Sequence, residues 1–519
     1  MQDLHDTRTI NACNVLHKGI SHLQRNPMAV QVTSSCLVTP EKETPTQAIW
    51  LSTLDLFQIR AHVATVYFYR PSATGDRAGF FSPEALKAGL RKALVPFYLF
   101  AGRIGTDGNG RTEIKCNGKG ALFVEAKSEE LTVDKFGDFA PSPEYRRMLV
   151  PSVSPDDGDD AVPLLLLQNT DIVWLRGVYA NADTGVWSTG EGHWWVGSDI
   201  ERLQLAKESI DNQPHDPNSL DVTYFKCGGV CLGVGLHHLV SDGVASLHFV
   251  NAWSDITRGV DLAVPPFLDR TLLLPRSPPS VLFPHHEFKR YPAGRNASAD
   301  KPAVSTAILA LSADQLAALK TAFAKVASSR RVTTYEAVAG HVWRRACEAR
   351  RLDAGRETRV YITTDGRRRL RPPLPPGYVG NVIFPTVAVA TAGDVTSETT
   401  GDAASRIHRA ITLMDDEYLR SALDFLEMEE DVKSLGRWAG NFTSADLSIT
   451  CWTSLPIYEA DFGWGLPEFM GPATMFYGGL CYIMPKPPAK AGGVLVAVSL
   501  EAEFMDLFKE LFYDTITEN

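Results

Sequence analysis

The stretch VCLGVGLHHLVSDG, residues 230–243, sets two histidines at the end of an apolar alternation, with an aspartate and a glycine close behind. Imidazole is the side chain best matched to taking a proton near neutral pH. Val230, Leu232, Val234 and Leu236 alternate with Cys231, Gly233 and Gly235. That pattern predicts a strand with one apolar face and one nearly bare face. Bare glycine in a strand marks a place where another backbone or a ligand comes close. His238 stands at the strand's end, where a side chain can be displayed. Asp242, four residues on, can orient the ring, or it can fix the loop by pairing with an arginine. The His-x-x-x-Asp spacing is a weak signal by itself in a chain with 13 histidines. A capped loop around a hydrogen-bonded histidine is the plain alternative.

A second element lies far downstream: ITCWTSLPIYEADFGWG, residues 449–465. HHLVSDG with its HxxxD at His238–Asp242, followed about 220 residues later by DFGWG at 461–465, resembles the plant BAHD acyl-CoA-dependent acyltransferases. Two such motifs in this order are specific where either alone is not. Further segments resemble the hydroxycinnamoyl-CoA:shikimate/quinate hydroxycinnamoyltransferase branch of that family. They include VYFYRP, KALVPFYLFAGRI, FGDFAP, PPFLDRTLL, TYEAVAGHVWR, RPPLPPGYVGNVIF and YLRSALDFLE. The similarity spans roughly 28–168 and 222–516.

The resemblance implies an α/β (α+β) fold. Two chloramphenicol-acetyltransferase-like domains of mixed sheet and helices would enclose a channel. It implies acyl-CoA as a co-substrate, no permanently bound cofactor and no metal. His238 would be the general base, taking the acceptor hydroxyl proton in a direct ternary-complex reaction. Asp242 would be a brace pointing away from the channel, with Arg367 as its partner. Thr450 and Trp452 would border the developing oxyanion, which needs donors. Arg437 matches the arginine that grips the carboxylate of shikimate or quinate, a task that suits a bidentate guanidinium. His62, Thr65 and Tyr67 would line the acyl and acceptor pocket, and Asp461 and Trp464 would hold the fold. The acyl group expected is p-coumaroyl or caffeoyl. Three positions depart from the branch pattern: Thr65 where Ser is usual, Val63 where Thr is usual, and Ser454 where Arg is usual. The last removes a cation and opens acceptors other than an acid, including an alcohol or amine of another kind.

The elements that must position these residues are readable in part. ATVYFYR (64–70) is rich in β formers. SPEALKAGLRKAL (82–94) reads as a helix capped by Ser82, with Pro83 in its first turn. Ser312 with Gln315, and Thr333 with Glu336, are capping boxes for two helices of the second half. RVYITT (359–364) and GGVLVAVSLEAE (492–503) read as strands, and FMDLFKELFYDTI closes the chain as a helix. Mixed strands and helices in both halves predict two α/β domains. Residues 1–27 are expected to be a disordered extension and 28–274 an N-terminal domain. Residues 275–304, rich in Pro and Ser, form a crossover linker, and 305–519 the C-terminal domain. Residues 169–221 fit poorly. They hold four of the ten tryptophans among Gly, Asp and Asn, and they separate VPLLLLQ from VTYFKCGGVCLGVGL. The expectation is an atypical, structureless insertion that splits a core strand just upstream of His238 and could leave the chain inactive.

Bulk properties narrow the field. The 519 residues suit two domains, and the net charge of −10 with no long basic run argues against a nucleic-acid partner. GRRRLRPP (366–373) is the densest basic cluster, enough only for a small anion. The eight cysteines form no CxxC pair and suggest neither a zinc set nor a disulfide framework. No apolar run spans a membrane, and no signal sequence is recognisable. A cytoplasmic monomer acting on small molecules is the expectation.

Overall fold

The computed structural model describes residues 30–71, 79–128, 131–154, 158–172, 175–181, 186–189, 222–226, 229–288, 302–324, 331–397, 400–432, 435, 443–490 and 492–517. Arg437 and residues 1–27 lie outside them. Two six-stranded sheets carry the fold. The strands of the first half are β1 (Gln31–Val38), β2 (His62–Tyr69), β3 (Ala121–Ser128), β4 (Leu165–Ile172) and β5 (Gly229–His237). Those of the second are β6 (Val304–Leu311), β7 (Glu357–Asp365), β8 (Ile383–Thr391), β9 (Leu447–Cys451), β10 (Phe469–Pro472), β11 (Leu480–Pro485) and β12 (Val494–Glu501).

The first sheet runs β1-β3-β4-β5-β2-β10, with only β3 and β4 parallel. The second runs β6-β12-β11-β9-β7-β8, with β9 parallel to both neighbours. β10 comes from the second half of the chain and pairs with β2. Ile457, Tyr458, Phe462 and Met470 belong to the core of the first half. A boundary at 305 therefore does not describe the packing, because the chain returns through about 455–475 to complete the first sheet.

The expected caps are present. Ser82 accepts from Ala85 N at the start of the helix Pro83–Ala93, and Thr333 and Glu336 close a reciprocal box on the helix Thr334–Ala349. Ser312 and Gln315 do the same for Ala313–Ala324. β5 is buried along its whole length. Its bare face is explained by a backbone: a Cβ on Gly233 would stand 1.8 Å from the carbonyl oxygen of Leu149, at the end of the helix Pro143–Leu149. Only glycine admits that approach.

The 169–221 expectation needs correction. β4 continues through Ile172, and Asn169, Thr170 and Ile172 are buried in it. β4 and β5 are antiparallel neighbours, with Ile172 opposite Gly229 and Leu165 opposite Leu236. The same register resumes beyond them, Leu175 opposite Lys226, in a three-stranded sheet of Leu175–Asn181, Val186–Thr189 and Val222–Lys226. The extra segment thus has strands of its own. It leaves the sheet at the end of β5 remote from His238, about 30 Å away at the rise of a strand, and β5 is intact.

Candidate active site

β5, paired on both sides, delivers His238 just past the end of a central strand. The His237 and His238 amides donate to Leu164 O and Ala61 O, both at 3.0 Å, so the turn is tied to two neighbouring segments. His237 is buried, while His238 keeps part of its surface exposed. Asp242 then caps the helix Gly243–Thr257, accepting from Ala245 N at 3.0 Å.

Asp242 does not address the imidazole. Arg367 grips it through two parallel bonds, Nη1 to Oδ2 at 2.8 Å and Nη2 to Oδ1 at 2.9 Å. Val382 N donates to Oδ2 at 2.9 Å. Four donors fill the carboxylate. Its burial would push the pKa up, but the charge of Arg367 and these bonds hold it below the ordinary aspartate value. The pair ties the His238 loop of the first half to the segment after β7 in the second.

His238 meets a different group. Its Nδ1 lies 3.2 Å from Asn381 Oδ1, and Asn381 Nδ2 donates to the His238 carbonyl oxygen at 2.8 Å. Asn381 is in turn bonded to Asp55, through its own N–H and through Nδ2, both at 2.9 Å. Asp55 is buried against Arg270 Nη1 at 3.0 Å, and Arg270 Nη2 donates to Val240 O at 2.6 Å. Burial lowers the His238 pKa below 6.5. Hydrogen bonds to its own backbone and to Asn381, and the charges of Asp242 and Asp55, only partly oppose this. The ring is therefore neutral at neutral pH and able to accept a proton. The sequence signals Asn381 and Arg270 only through the similarity of GYVGNVIF and PPFLDRTLL, which names no role, and Asp55 stands in none of the similar segments quoted above.

Thr450 and Trp452 come from β9 and the turn after it. Thr450 Oγ1 lies 3.3 Å from Thr363 Oγ1, and the Trp452 ring packs on Tyr482 at 4.8 Å. The turn is brought to the His238 loop: Leu455 lies near Gly243, and Asn251 on the helix Gly243–Thr257 donates to Pro456 O at 3.1 Å. Ser454 is exposed in that turn. His62, Thr65 and Tyr67 are not brought to one surface. Along β2, Thr65 and Tyr67 stand opposite Val234 and Leu232, whereas His62 pairs with His237 on the other face, the two rings 5.1 Å apart. His62 hydrogen-bonds Pro163 O at 2.7 Å, and burial lowers its pKa to about 4. Tyr67 is fully buried, which raises its pKa.

The DFGWG segment braces the first core. Asp461 Oδ1 accepts from the amides of Gly463 and Gly465 at 2.8 and 3.0 Å. Both glycines have φ near +100°, a conformation that disfavours side chains. The fold of the segment presses Phe462 onto Trp253 at 4.7 Å and Trp464 onto Phe81 at 4.9 Å. The basic cluster at 366–373 is likewise structural in the main: Arg369 caps the chain at Ile411 O and Met414 O, and Arg371 bonds Arg368 O.

The Transferase family model matches residues 28–173 and 197–515. The chain belongs to the BAHD acyltransferase family. This BAHD acyltransferase is 44% identical to shikimate O-hydroxycinnamoyltransferase of Nicotiana tabacum over 493 residues, 94% of this chain and 100% of the relative. It is 40% identical, at the same coverage, to hydroxycinnamoyl-CoA:5-hydroxyanthranilate N-hydroxycinnamoyltransferase of Avena sativa and to putrescine hydroxycinnamoyltransferase 1 of Oryza sativa subsp. japonica. Among solved structures, vinorine synthase superposes with a TM-score of 0.63 at 20% identity, covering 92% of this chain and 96% of that one. TRI101 of F. graminearum, complexed with coenzyme A and T-2 mycotoxin, gives 0.65 at 19% identity, covering 89% and 96%. The fold is thus that of the BAHD enzymes, α/β with mixed sheets.

Proposed function

We propose that this acyltransferase moves a hydroxycinnamoyl group, p-coumaroyl or caffeoyl, from its CoA thioester to a hydroxyl of shikimate or quinate. The observation that carries the reading is His238: a neutral, partly accessible imidazole at a strand end, with Asp242 committed elsewhere. Its relatives of 40–44% identity are hydroxycinnamoyltransferases by name. His238 takes the acceptor O–H proton as the oxygen attacks the thioester carbonyl carbon. The resulting oxyanion is stabilised by Thr450 and Trp452 as donors. Collapse breaks the C–S bond, and the thiolate recovers the proton from His238. Arg437 pairs with the acceptor carboxylate, and Thr65 and Tyr67 shape the pocket. The enzyme works as a cytoplasmic monomer.

The test is p-coumaroyl-CoA offered with shikimate, quinate, 5-hydroxyanthranilate and putrescine, following ester or amide by chromatography. The expected product is the shikimate or quinate ester, abolished by His238→Ala. Product formation that survives that change sinks the base assignment. Ser454 supports a second reading, an amine acceptor, because the cation usual at that position is gone. Arg437→Ala separates the two: it raises KM for carboxylate acceptors and leaves putrescine unaffected.

A further inference from the structure

General-base catalysis by a histidine needs one particular ring nitrogen free of its proton. The surroundings of His238 decide which. Asn381 is fully buried between the ring and Asp55. Its Nδ2 faces Asp55 Oδ1 at 2.9 Å and the His238 carbonyl oxygen at 2.8 Å. Both are acceptors, so the amide cannot be reversed without setting oxygen against a carboxylate and a carbonyl. Oδ1 must therefore face Nδ1 of the ring. An amide oxygen only accepts, so Nδ1 must carry the proton, and in a neutral imidazole the lone pair is then on Nε2.

The amide is itself held on every side. Asp55 Oδ1 accepts from the Asn381 amide N–H and lies 3.0 Å from Arg270 Nη1 as an ion pair, and Oδ2 accepts from Ser52 N at 2.9 Å and Ser52 Oγ at 2.7 Å. Asp55 and Arg270 are almost completely buried. Asp242 cannot take this part, because its four hydrogen bonds all go to other groups.

We propose that Asn381, pinned by Asp55 and Arg270, is the positioning residue that holds His238 in its Nδ1–H tautomer and makes Nε2 the basic atom. This rests on the reading of His238 as the base. An uncharged orienter has a consequence: it fixes the tautomer without adding a negative charge that would favour the imidazolium.

The test combines a spectrum and two variants. Nitrogen-15 NMR of histidine-labelled protein, with the His238 signal assigned by its loss in His238→Ala, reads the tautomer directly. The expected wild-type state is Nδ1–H. Asn381→Ala leaves the ring only the bond to its own backbone, and should raise the Nε2–H fraction above the wild type and lower kcat about 100-fold, with KM for acyl-CoA and acceptor within twofold. Asn381→Asp should recover most of that loss. The new carboxyl lies so close to Asp55 that the two share a proton; it then donates to Asp55 and still accepts from Nδ1–H. An Nε2–H tautomer in the wild type overturns the proposal, as does wild-type kcat in Asn381→Ala. The tautomer is read on the unaltered protein, so the answer stands even where a variant does not fold. If His238→Ala stays active, the base assignment itself fails; if it is dead while Asn381→Ala is normal, only the role of Asn381 does.

Discussion

At the scale of single residues, the HxxxD pair has two separate jobs. His238 is kept neutral by burial, and Asp242 is kept ionised by Arg367. The acid limb of the kcat/KM profile should therefore have its midpoint below 6.5, the ordinary histidine value. The basic form is present above the lowered pKa and is lost as pH falls through it. A midpoint at or above 6.5 would contradict the environment described. Arg367→Ala tests the brace. It leaves a buried carboxylate with its charge uncompensated, and the expected cost is about 3–5 kcal/mol of unfolding free energy, measured by urea titration. Asp242 has a folded pKa below its unfolded one. Its contribution is complete above the ordinary aspartate range and disappears as pH drops through the lowered value. Arg367→Ala should remove that dependence.

At the scale of elements, the segment between β4 and β5 is the one open to removal. Deleting 169–221 joins Gln168 to Val222, and Val-Thr-Tyr-Phe then follows where Asn-Thr-Asp-Ile stood. The lengths match, and threonine returns to the buried position of Thr170, which accepts from Gln168 Nε2 at 2.9 Å. Valine replaces Asn169, whose buried Oδ1 has no partner. Val, Thr, Tyr and Phe also suit a strand better than Asn and Asp do. Lys226, Cys227 and Gly228 would then connect this stretch to Gly229. The deletion should fold, with a melting temperature at or above that of the full chain and His238-dependent acyl transfer at least as fast. Loss of the folded state on deletion would show that the segment is integral.

At the scale of the whole molecule, the halves are tied by buried bonds rather than merely juxtaposed. Asp242–Arg367, Asp55–Asn381 and the return of β10 to the first sheet all cross between them. Buried histidines make this assembly sensitive to acid. Burial lowers His62 and His341 to about 4, and His237 to about 3. Each is protonated near 6.5 once unfolded, so stability is complete above 6.5 and declines as pH falls toward 4, by on the order of a few kcal/mol per group. Thermal unfolding should shift down between pH 7.5 and 5.0. His341→Gln keeps a donor for Phe512 O, now 2.8 Å from Nε2, and should flatten the slope without touching the site. A pH-independent melting temperature would refute this.

The sequence by itself determined the family, the strand that ends at His238 and the helix caps; the Asp242–Arg367 brace, its residues 125 positions apart, comes only as what the family resemblance implies. The first three depend on local periodicity, on cap chemistry, or on motifs whose order is diagnostic. It missed what depends on distant segments meeting. Asn381 and Asp55 stand 326 positions apart in the chain, and neither has a local pattern that announces a hydrogen bond. The family resemblance places His62 with Thr65 and Tyr67 in one pocket, yet the two-residue period of a strand sends it to the opposite face. Composition alone puts residues 169–172 in an insertion, whereas pairing with β5 gives even a polar stretch a place in the sheet. Only the tertiary structure could decide these, because register and burial are properties of the partner strand as much as of the residue itself.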